Sequence, residues 1–302
     1  MTNEAPPAGP DAAAHASGQP PARNAGARTD AAAHASGQPP ARNAGARTDA
    51  AGQPVCTGPA GHGTTGSLAR RVAAETVGTG LLVAVAVGSG IQAAQLSHDA
   101  GVQLLACSLA AVFGLGVLLA LLGPVSGAHL NPAVTLSAWC AGRRHGSGPT
   151  LREVAAYVPA QVVGAMGGAI LADAMFARPL VRLSTHERSA GHLWLGEAVA
   201  TAGLILLVLG LERAGRARLA PVSVAAYIGA AYWFTSSTAF ANPAMTIGRS
   251  LTDTAAGIAP ASLVPFIAAQ LIGAAFGLGA VAVLYGRPAH GEGDGSAAMR
   301  GA

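Results

Sequence analysis

Long uncharged segments alternate with short polar ones along residues 67–287. Six of these segments have the length and apolar character of membrane-crossing helices, and they cover residues 77–94, 102–122, 154–172, 193–211, 219–240 and 262–285. Each is close to the roughly 20 residues that a helix needs to cross about 30 Å of hydrocarbon. Because backbone exposed to lipid must satisfy its own hydrogen bonds, we expect helices rather than isolated strands. The pattern predicts an all-α membrane protein.

The composition supports a bilayer as the surroundings of this chain. Only 11% of its residues are charged and 51% are hydrophobic, whereas soluble proteins carry about 25% charged residues. The net charge of +4 comes from arginines in short clusters without a basic face, so nucleic acid is not a predicted partner. Cys56, Cys107 and Cys140 have spacings that fit no metal site or disulfide framework. With no nucleophile–base pair either, we predict neither an enzyme nor a cofactor.

The first 66 residues differ from the rest. The sequence DAAAHASGQPPARNAGART occupies residues 11–29 and is repeated without a change at residues 30–48. A segment rich in Ala, Gly and Pro has no apolar face to bury, which predicts a disordered tail. We therefore predict three regions: a disordered tail at 1–66, a membrane domain at 67–287 and a second disordered tail at 288–302.

Arginine positions predict the orientation of the membrane domain. If the N-terminus is cytoplasmic, nine arginines lie on the cytoplasmic side and four on the outer side. The cytoplasmic set is Arg70, Arg71, Arg143, Arg144, Arg152, Arg213, Arg216, Arg218 and Arg287, and the outer set is Arg178, Arg182, Arg188 and Arg249. This excess predicts a multi-pass protein of the cell membrane with both termini in the cytoplasm.

The two halves of the membrane domain repeat three landmarks in the same order. A glutamate opens a span at Glu75 and Glu197, an Asn-Pro-Ala triplet follows at Asn131 and Asn242, and an Ala-Gln pair with Gly-Ala three residues later follows at 160–165 and 269–274. Each half contains three spans, so the second half must enter the membrane in the opposite sense. This is an inverted repeat, which places a functional site near the midplane between the halves.

The Asn-Pro-Ala triplets predict two half-helices that begin inside the membrane. Residues 123–142 are too apolar for an ordinary loop, and they contain Asn131-Pro132-Ala133; the second triplet is Asn242-Pro243-Ala244. Asparagine caps a helix, and proline is tolerated in its first turn. We expect two re-entrant loops whose half-helices meet N-terminus to N-terminus, which makes the midplane electropositive and opposes cations.

Together with the paired triplets, the segment SGAHLNPAVT at residues 126–135 resembles the first signature of the major intrinsic protein family, the aquaporins and glycerol facilitators. The resemblance covers the membrane domain and neither tail. It implies six helices with two half-helices, assembled as a homotetramer with one pore per subunit. It also implies that Asn131 and Asn242 line the pore and that Glu75 and Glu197 brace the re-entrant loops. The histidine at His129 has a packing role in the family.

One departure from the family concerns the constriction that selects solutes. The family's arginine three residues after the second asparagine is replaced here by Met245, and Arg249 follows one helical turn further out, where we place it in the outer vestibule. The other filter positions, counted along the sequence, are Ala239, Ala230 or its neighbour Gly229, and Ala111, with Phe113 as the alternative to Ala111.

A methionine and alanines at the constriction predict a wider and less polar pore. We expect it to pass small neutral solutes: glycerol-like polyols and water. The patterns at residues 123–129 and 240–246 are similar to a bacterial branch associated with arsenic-resistance genes, which implies arsenous acid or related metalloid hydroxides as further solutes. Two alternatives are an ordinary water channel with an atypical filter and an ion-coupled secondary transporter.

Overall fold

The computed structural model describes residues 66–143 and 147–286, and every regular element in these ranges is helical. The helices are α1 (Leu68–Leu96), α2 (Ala100–Ser126), α3 (Pro132–Gly142), α4 (Leu151–Met175), α5 (Gly191–Arg213), α6 (Ala220–Phe234), α7 (Pro243–Gly248) and α8 (Leu263–Leu284). Short 3₁₀ turns lie at Ala217–Leu219, Arg249–Leu251 and Pro260–Ser262. The predicted tails lie outside the described residues, apart from Gly66, so their boundaries stay predictions.

Local sequence signals account for where the long helices begin. Ser67 and Asp99 accept hydrogen bonds from the backbone of the first turns of α1 and α2. Thr150 and Glu153 form a reciprocal capping box at the start of α4. The end of α2 is set by Gly127, which has a φ of 89° in the left-handed region that favours glycine.

Small residues bring the long helices together in two equivalent pairs. In α4, Gly164 and Gly168 lie against the backbone oxygens of Thr76 and Gly80 in α1. In α8, Gly273 and Gly277 lie against the backbone oxygens of Ala198 and Ala202 in α5 in the same way. Helices in a membrane associate through close packing rather than through the hydrophobic effect. These backbone contacts therefore hold α1 against α4 in the first half and α5 against α8 in the second. The two halves are packed alike, as an inverted repeat requires.

Five of the described helices are long and apolar enough to cross a membrane, namely α1, α2, α4, α5 and α8. Their outward faces carry large exposed apolar side chains, for example Val117, Val264, Phe276 and Val283. Exposed apolar surface on this scale fits contact with lipid rather than with water.

The fifth predicted span is shorter than the sequence indicated. The apolar segment runs from residue 219 to residue 240, but α6 ends at Phe234 and the chain from Thr235 to Ala241 is not helical. With the preceding 3₁₀ turn, α6 still covers about 28 Å, close to the hydrocarbon thickness. The remaining residues, Thr235 to Ala241, carry no charge, and they form a re-entrant loop.

The first re-entrant loop also begins later than predicted. Gly123 and Pro124 belong to the last turns of α2, and the non-helical segment starts only at Gly127. A proline near the end of a helix removes a single backbone hydrogen bond, so it does not by itself end the helix before the left-handed glycine does.

Candidate functional site at the meeting point of the half-helices

The N-termini of α3 and α7 meet in the interior of the bundle, each capped by its asparagine. The Asn131 side-chain oxygen accepts from the N–H of Ala133 at 2.8 Å, and the Asn242 oxygen accepts from the N–H of Ala244 at 3.0 Å. Pro132 and Pro243 occupy the first helical positions, where no backbone donor is needed. Both Asn-Pro-Ala triplets are therefore helix starts, and both asparagines are buried.

Each asparagine also binds the loop of the other half. The Asn131 amide nitrogen donates to the carbonyl oxygen of Ala241 at 2.8 Å, and the Asn242 amide nitrogen donates to the carbonyl oxygen of Leu130 at 2.8 Å. A primary amide has two N–H groups, so these crosswise bonds use one donor of each side chain. The second donor of each amide has no hydrogen-bond partner among the described residues, and it is available to a solute at the centre of the bundle.

The two loops share an unusual backbone conformation. Positive φ angles occur at Gly127, Ala128 and Leu130 in the first loop and at the matching Thr238, Ala239 and Ala241 in the second. Left-handed residues other than glycine cost roughly 1–3 kcal/mol each and persist only where the surroundings enforce them. Their repetition in both halves indicates a conformation kept for the site.

Glu75 is the main support of the first loop. Its carboxylate accepts from the N–H groups of His129 at 3.0 Å and Leu130 at 2.7 Å, from the hydroxyl of Ser126 at 2.6 Å and from the amide of Gln161 at 2.8 Å. Four donors on one fully buried carboxylate compensate for its removal from water. The left-handed backbone of the loop is thereby held in place.

Glu197 holds the second loop in the equivalent way. It accepts from the N–H groups of Phe240 at 2.9 Å and Ala241 at 2.8 Å, and from the amide of Gln270 at 2.6 Å. The sequence did not single out a third buried acid, Asp173, which accepts from the hydroxyl of Thr252 at 2.9 Å. All three buried acids of the described chain are thus engaged by hydrogen bonds to loops or helix side chains.

His129 lies among aromatic and hydroxyl groups rather than along a chain of titratable groups. Its ring stands edge-on to Tyr157 at 5.7 Å between centroids, and Nδ1 lies 3.1 Å from the Thr135 hydroxyl. The Tyr157 hydroxyl donates in turn to the carbonyl of Ser126 at 2.9 Å. These contacts are those of a packed histidine.

The residues predicted for the filter differ in exposure. Met245, Ala239 and Ala111 are buried, whereas Ala230 is exposed and Phe113 is 69% exposed. Ala230 and Gly229, the two alternatives for one filter position, differ in their surroundings: Gly229 packs against α2, and Tyr232, three residues after Gly229 on the same face of α6, is buried. Ala230 lies between Gly229 and Tyr232 in the sequence, and it faces another direction.

A cavity of about 180 Å³ lies at the end of the bundle where α1 finishes and α2 begins, called the distal end below. Arg249 lines this cavity, as do Arg188, Tyr232, Thr238 and Cys107. None of the four predicted filter residues belongs to its lining. Sequence reasoning did not identify the last four of these residues, because Arg188 comes from a polar loop and Cys107 from a helix that is apolar on every side.

Both cavity arginines are held by backbone carbonyls and by one aromatic ring. Arg249 Nε donates to the carbonyl of Ala256, and its guanidinium carbon lies 3.5 Å from the Phe240 ring centroid. Arg188 Nε donates to the carbonyl of Gly257 at 3.0 Å, and its guanidinium carbon lies 4.9 Å from the same centroid. Burial lowers the pKa of the Arg188 guanidinium from its usual value.

A second cavity, of about 430 Å³, shares Gly90 and Ala255 with the first. Asp253, one of its lining residues, accepts from the backbone N–H of Thr185 at 3.0 Å and from its hydroxyl at 2.9 Å. These hydrogen bonds lower the pKa of the Asp253 carboxyl, and Arg182 pairs with it at 3.2 Å. His186 lines the same cavity, and burial lowers its pKa.

Comparison with known proteins agrees with this architecture. Residues 63–236 match the family described as Major intrinsic protein. Aquaglyceroporin AqpS of Rhizobium meliloti (strain 1021) is 48% identical over 207 residues, which cover 68% of this chain and 86% of that protein. The propanediol uptake facilitator PduF of Citrobacter freundii is 31% identical over 257 residues, covering 72% of this chain and 91% of that protein.

A solved structure shows the same fold. The X-ray structure of the aquaglyceroporin from Plasmodium falciparum superposes with a TM-score of 0.53 at 19% identity, covering 72% of this chain and 99% of that chain. The predicted all-α, aquaporin-like fold is therefore confirmed. The chain belongs to the major intrinsic protein family, and it is a membrane channel rather than an enzyme.

Proposed function

We propose that this chain is a passive channel for glycerol-like polyols, water and other small neutral solutes. The observation that carries the proposal is the pair of capped asparagines, each of which keeps one amide N–H free at the centre of the bundle. A hydroxyl oxygen accepts from such donors in place of the water that it loses on entry. The names of the relatives, an aquaglyceroporin and a propanediol uptake facilitator, describe solutes of this chemistry.

The roles of the site residues follow from this proposal. Asn131 and Asn242 line the pore, and Glu75 and Glu197 keep the loops in the conformation that presents them. Met245 lies at the third position of α7, where it is buried and carries no charge. A thioether at this position leaves the pore less polar than an arginine does, which favours solutes with an apolar carbon skeleton.

Arsenous acid is the further solute that we propose. It is neutral near pH 7 and presents hydroxyl groups in a volume similar to that of a small polyol, so the same amide donors fit it. We propose no coordination of arsenic by Met245. Its role in the proposal is to leave width at the constriction.

Location and assembly complete the proposal. We propose that the chain lies in the cell membrane with both termini in the cytoplasm, which makes the distal end the outer one. Exposed apolar side chains on the helices, such as Val117 and Phe276, supply surface for lipid and for neighbouring subunits of a homotetramer. An ion-coupled transporter is disfavoured, because the buried acids of the described residues are already engaged by hydrogen-bond donors.

The proposed function is tested with purified protein in proteoliposomes. Stopped-flow light scattering measures water and glycerol permeability, and uptake of arsenite at neutral pH measures arsenous acid entry. We expect glycerol and arsenite to pass through the native chain and Met245→Arg to lower both permeabilities at least tenfold relative to water, since a buried charge and a longer side chain enter the constriction.

Met245→Leu is the matched control, because it keeps the volume and the apolar character of the side chain. It should retain glycerol and arsenite permeability. Fast water flux with exclusion of both solutes by the native protein would establish the alternative, a water channel with an atypical filter. A dependence of glycerol flux on an imposed proton or sodium gradient would instead establish a transporter.

A further inference from the structure

Two buried arginines share the cavity at the distal end without a carboxylate partner. Arg188 is 9% exposed and Arg249 is 5% exposed, and neither forms an ion pair with any residue of 66–143 or 147–286. An isolated buried charge is costly, and nearby backbone carbonyls compensate for only part of that cost. The field of Glu197 reaches both guanidinium groups, but its oxygens are engaged by the second re-entrant loop and Gln270. Its single negative charge offsets at most one of the two positive charges, so the cavity carries a net positive charge.

Most of the hydrogen-bond donors of these arginines remain available. The side-chain hydrogen bonds of Arg249 within the described residues come from Nε alone, which leaves its terminal N–H groups without a protein acceptor. Arg188 uses Nε and one long contact of 3.4 Å from Nη2. Tyr232 lines the same cavity, and its hydroxyl makes no hydrogen bond to the described residues. Several donors and no acceptor carboxylate thus surround one small volume.

This arrangement fits a small oxyanion. Guanidinium groups bind carboxylates and other oxoacid anions through paired N–H donors. The volume of about 180 Å³ holds a few water molecules at about 30 Å³ each, and hence one anion of a few heavy atoms. We propose that Arg188, Arg249 and Tyr232 form a receptor for a small oxyanion, of the carboxylate or oxoacid class, at the distal mouth of the channel. The proposal does not depend on which neutral solute crosses the pore.

Cys107 provides a reporter inside the cavity itself. The full chain carrying Cys56→Ser and Cys140→Ser, in proteoliposomes, is treated with two methanethiosulfonate reagents, one with a sulfonate and one with a quaternary ammonium group. Mass spectrometry follows the modification of Cys107. A positive cavity concentrates anions, so we expect the ratio of the anionic to the cationic rate at Cys107 to be about tenfold higher than the ratio of the same reagents on a free small thiol in solution. A rate ratio equal to or below that of the free thiol overturns the proposal.

Substitutions then assign the charge to the two arginines. Arg188→Gln and Arg249→Gln should each reduce the rate ratio severalfold, while Arg249→Lys, which keeps the charge, should retain most of it. Arg182→Gln is the matched control, because it removes an exposed positive charge from the loop that carries Arg188, outside the cavity lining. A ratio that Arg182→Gln lowers as much as the two cavity substitutions contradicts the proposal.

Formate tests binding of an anion directly. The neutral reagent methyl methanethiosulfonate is used, so that electrostatic competition between reagents plays no part. At equal ionic strength, sodium formate should slow the labelling of Cys107 severalfold relative to sodium gluconate, whose anion is too large for the cavity. Arg249→Gln should remove this protection. Equal labelling in the two salts shows that no oxyanion is bound, and because glycerol flux is not measured, this failure is separate from a failure of the proposed function.

Discussion

Replacing Gly168 with alanine tests the close approach of α4 to α1. A Cβ atom at Gly168 would lie 2.0 Å from the carbonyl oxygen of Gly80. A Cβ atom at Gly167, the residue before Gly168 on α4, would have no other atom within 4 Å. Gly167→Ala is therefore a matched control, since both variants change one glycine of one helix and only one of them meets the other backbone.

The size of the effect follows from this distance. A carbon–oxygen contact needs about 3.3 Å, so the two backbones must separate by about 1 Å. A gap of that size forfeits about a quarter to a half of each dispersion contact along the joint, and overpacked interiors lose about 1–3 kcal/mol. Alanine also favours the helix by about 1 kcal/mol over glycine, but it does so in both variants. We expect Gly168→Ala to be about 1–3 kcal/mol less stable than Gly167→Ala.

Equilibrium unfolding of the purified protein in mixed micelles, titrated with SDS and followed by intrinsic fluorescence, measures the free-energy difference. The second half offers an independent repeat on α8, because a Cβ at Gly277 would lie 2.6 Å from the carbonyl oxygen of Ala202, whereas Gly279 has no atom within 4 Å. If Gly168→Ala is as stable as Gly167→Ala, the helices are not in backbone contact there and the packing argument is refuted.

Two further substitutions probe the loops. The Glu197 carboxylate offers two oxygens to a pair of loop N–H groups and to Gln270, and Glu197→Gln leaves one of them. Because at least one buried donor is then unpaired, we expect a loss of about 1–3 kcal/mol in the free energy of unfolding in the same assay. Glu212→Gln, at an exposed position of α5, should leave the stability unchanged, and equal losses in the two variants would show that the Glu197 carboxylate does not support the loop. Hydrogen bonds from Thr185 lower the pKa of Asp253 in the folded protein below its usual 3.8, so their stabilisation is present above pH 3.8 and is lost as the pH falls below it. Asp253→Asn should therefore lower the melting temperature at neutral pH, and the difference from the native chain should shrink as the pH falls below 3.8; a constant difference would contradict this linkage.

The helices were predictable because the bilayer fixes their length and polarity. For the first half of the chain, apolar runs and capping residues such as Asp99 and Thr150 indicate where helices begin. The expectation that a long uncharged segment is helical throughout was wrong for the segment that ends at Phe240. The lack of charge indicates that a segment is shielded from water, but it does not distinguish a helix from a loop enclosed by protein. What keeps Phe240 out of a helix is a hydrogen bond to Glu197, 43 residues earlier, which no local pattern reveals.

The two asparagines were found because their triplets are repeated, and repetition is visible in a sequence. The cavity was not predicted, because Arg188 is held there by hydrogen bonds to backbone carbonyls about 70 residues later in the chain. Counting back from Asn242 gave Ala230 or Gly229 for the filter, and this stays a prediction. The count does not give the orientation of α6, which brings Tyr232 to the cavity.

The crosswise asparagine bonds have a consequence for the biosynthesis of the protein. Leu130 accepts from a residue 112 positions later, and Asn131 donates to one 110 positions later. When the ribosome has completed the first three spans, the Leu130 carbonyl and the Asn131 amide do not yet have these partners. An unpaired polar group in hydrocarbon costs several kcal/mol. The nascent first half therefore remains unfinished in the membrane until the second half arrives, and each repeat acts as the folding template of the other.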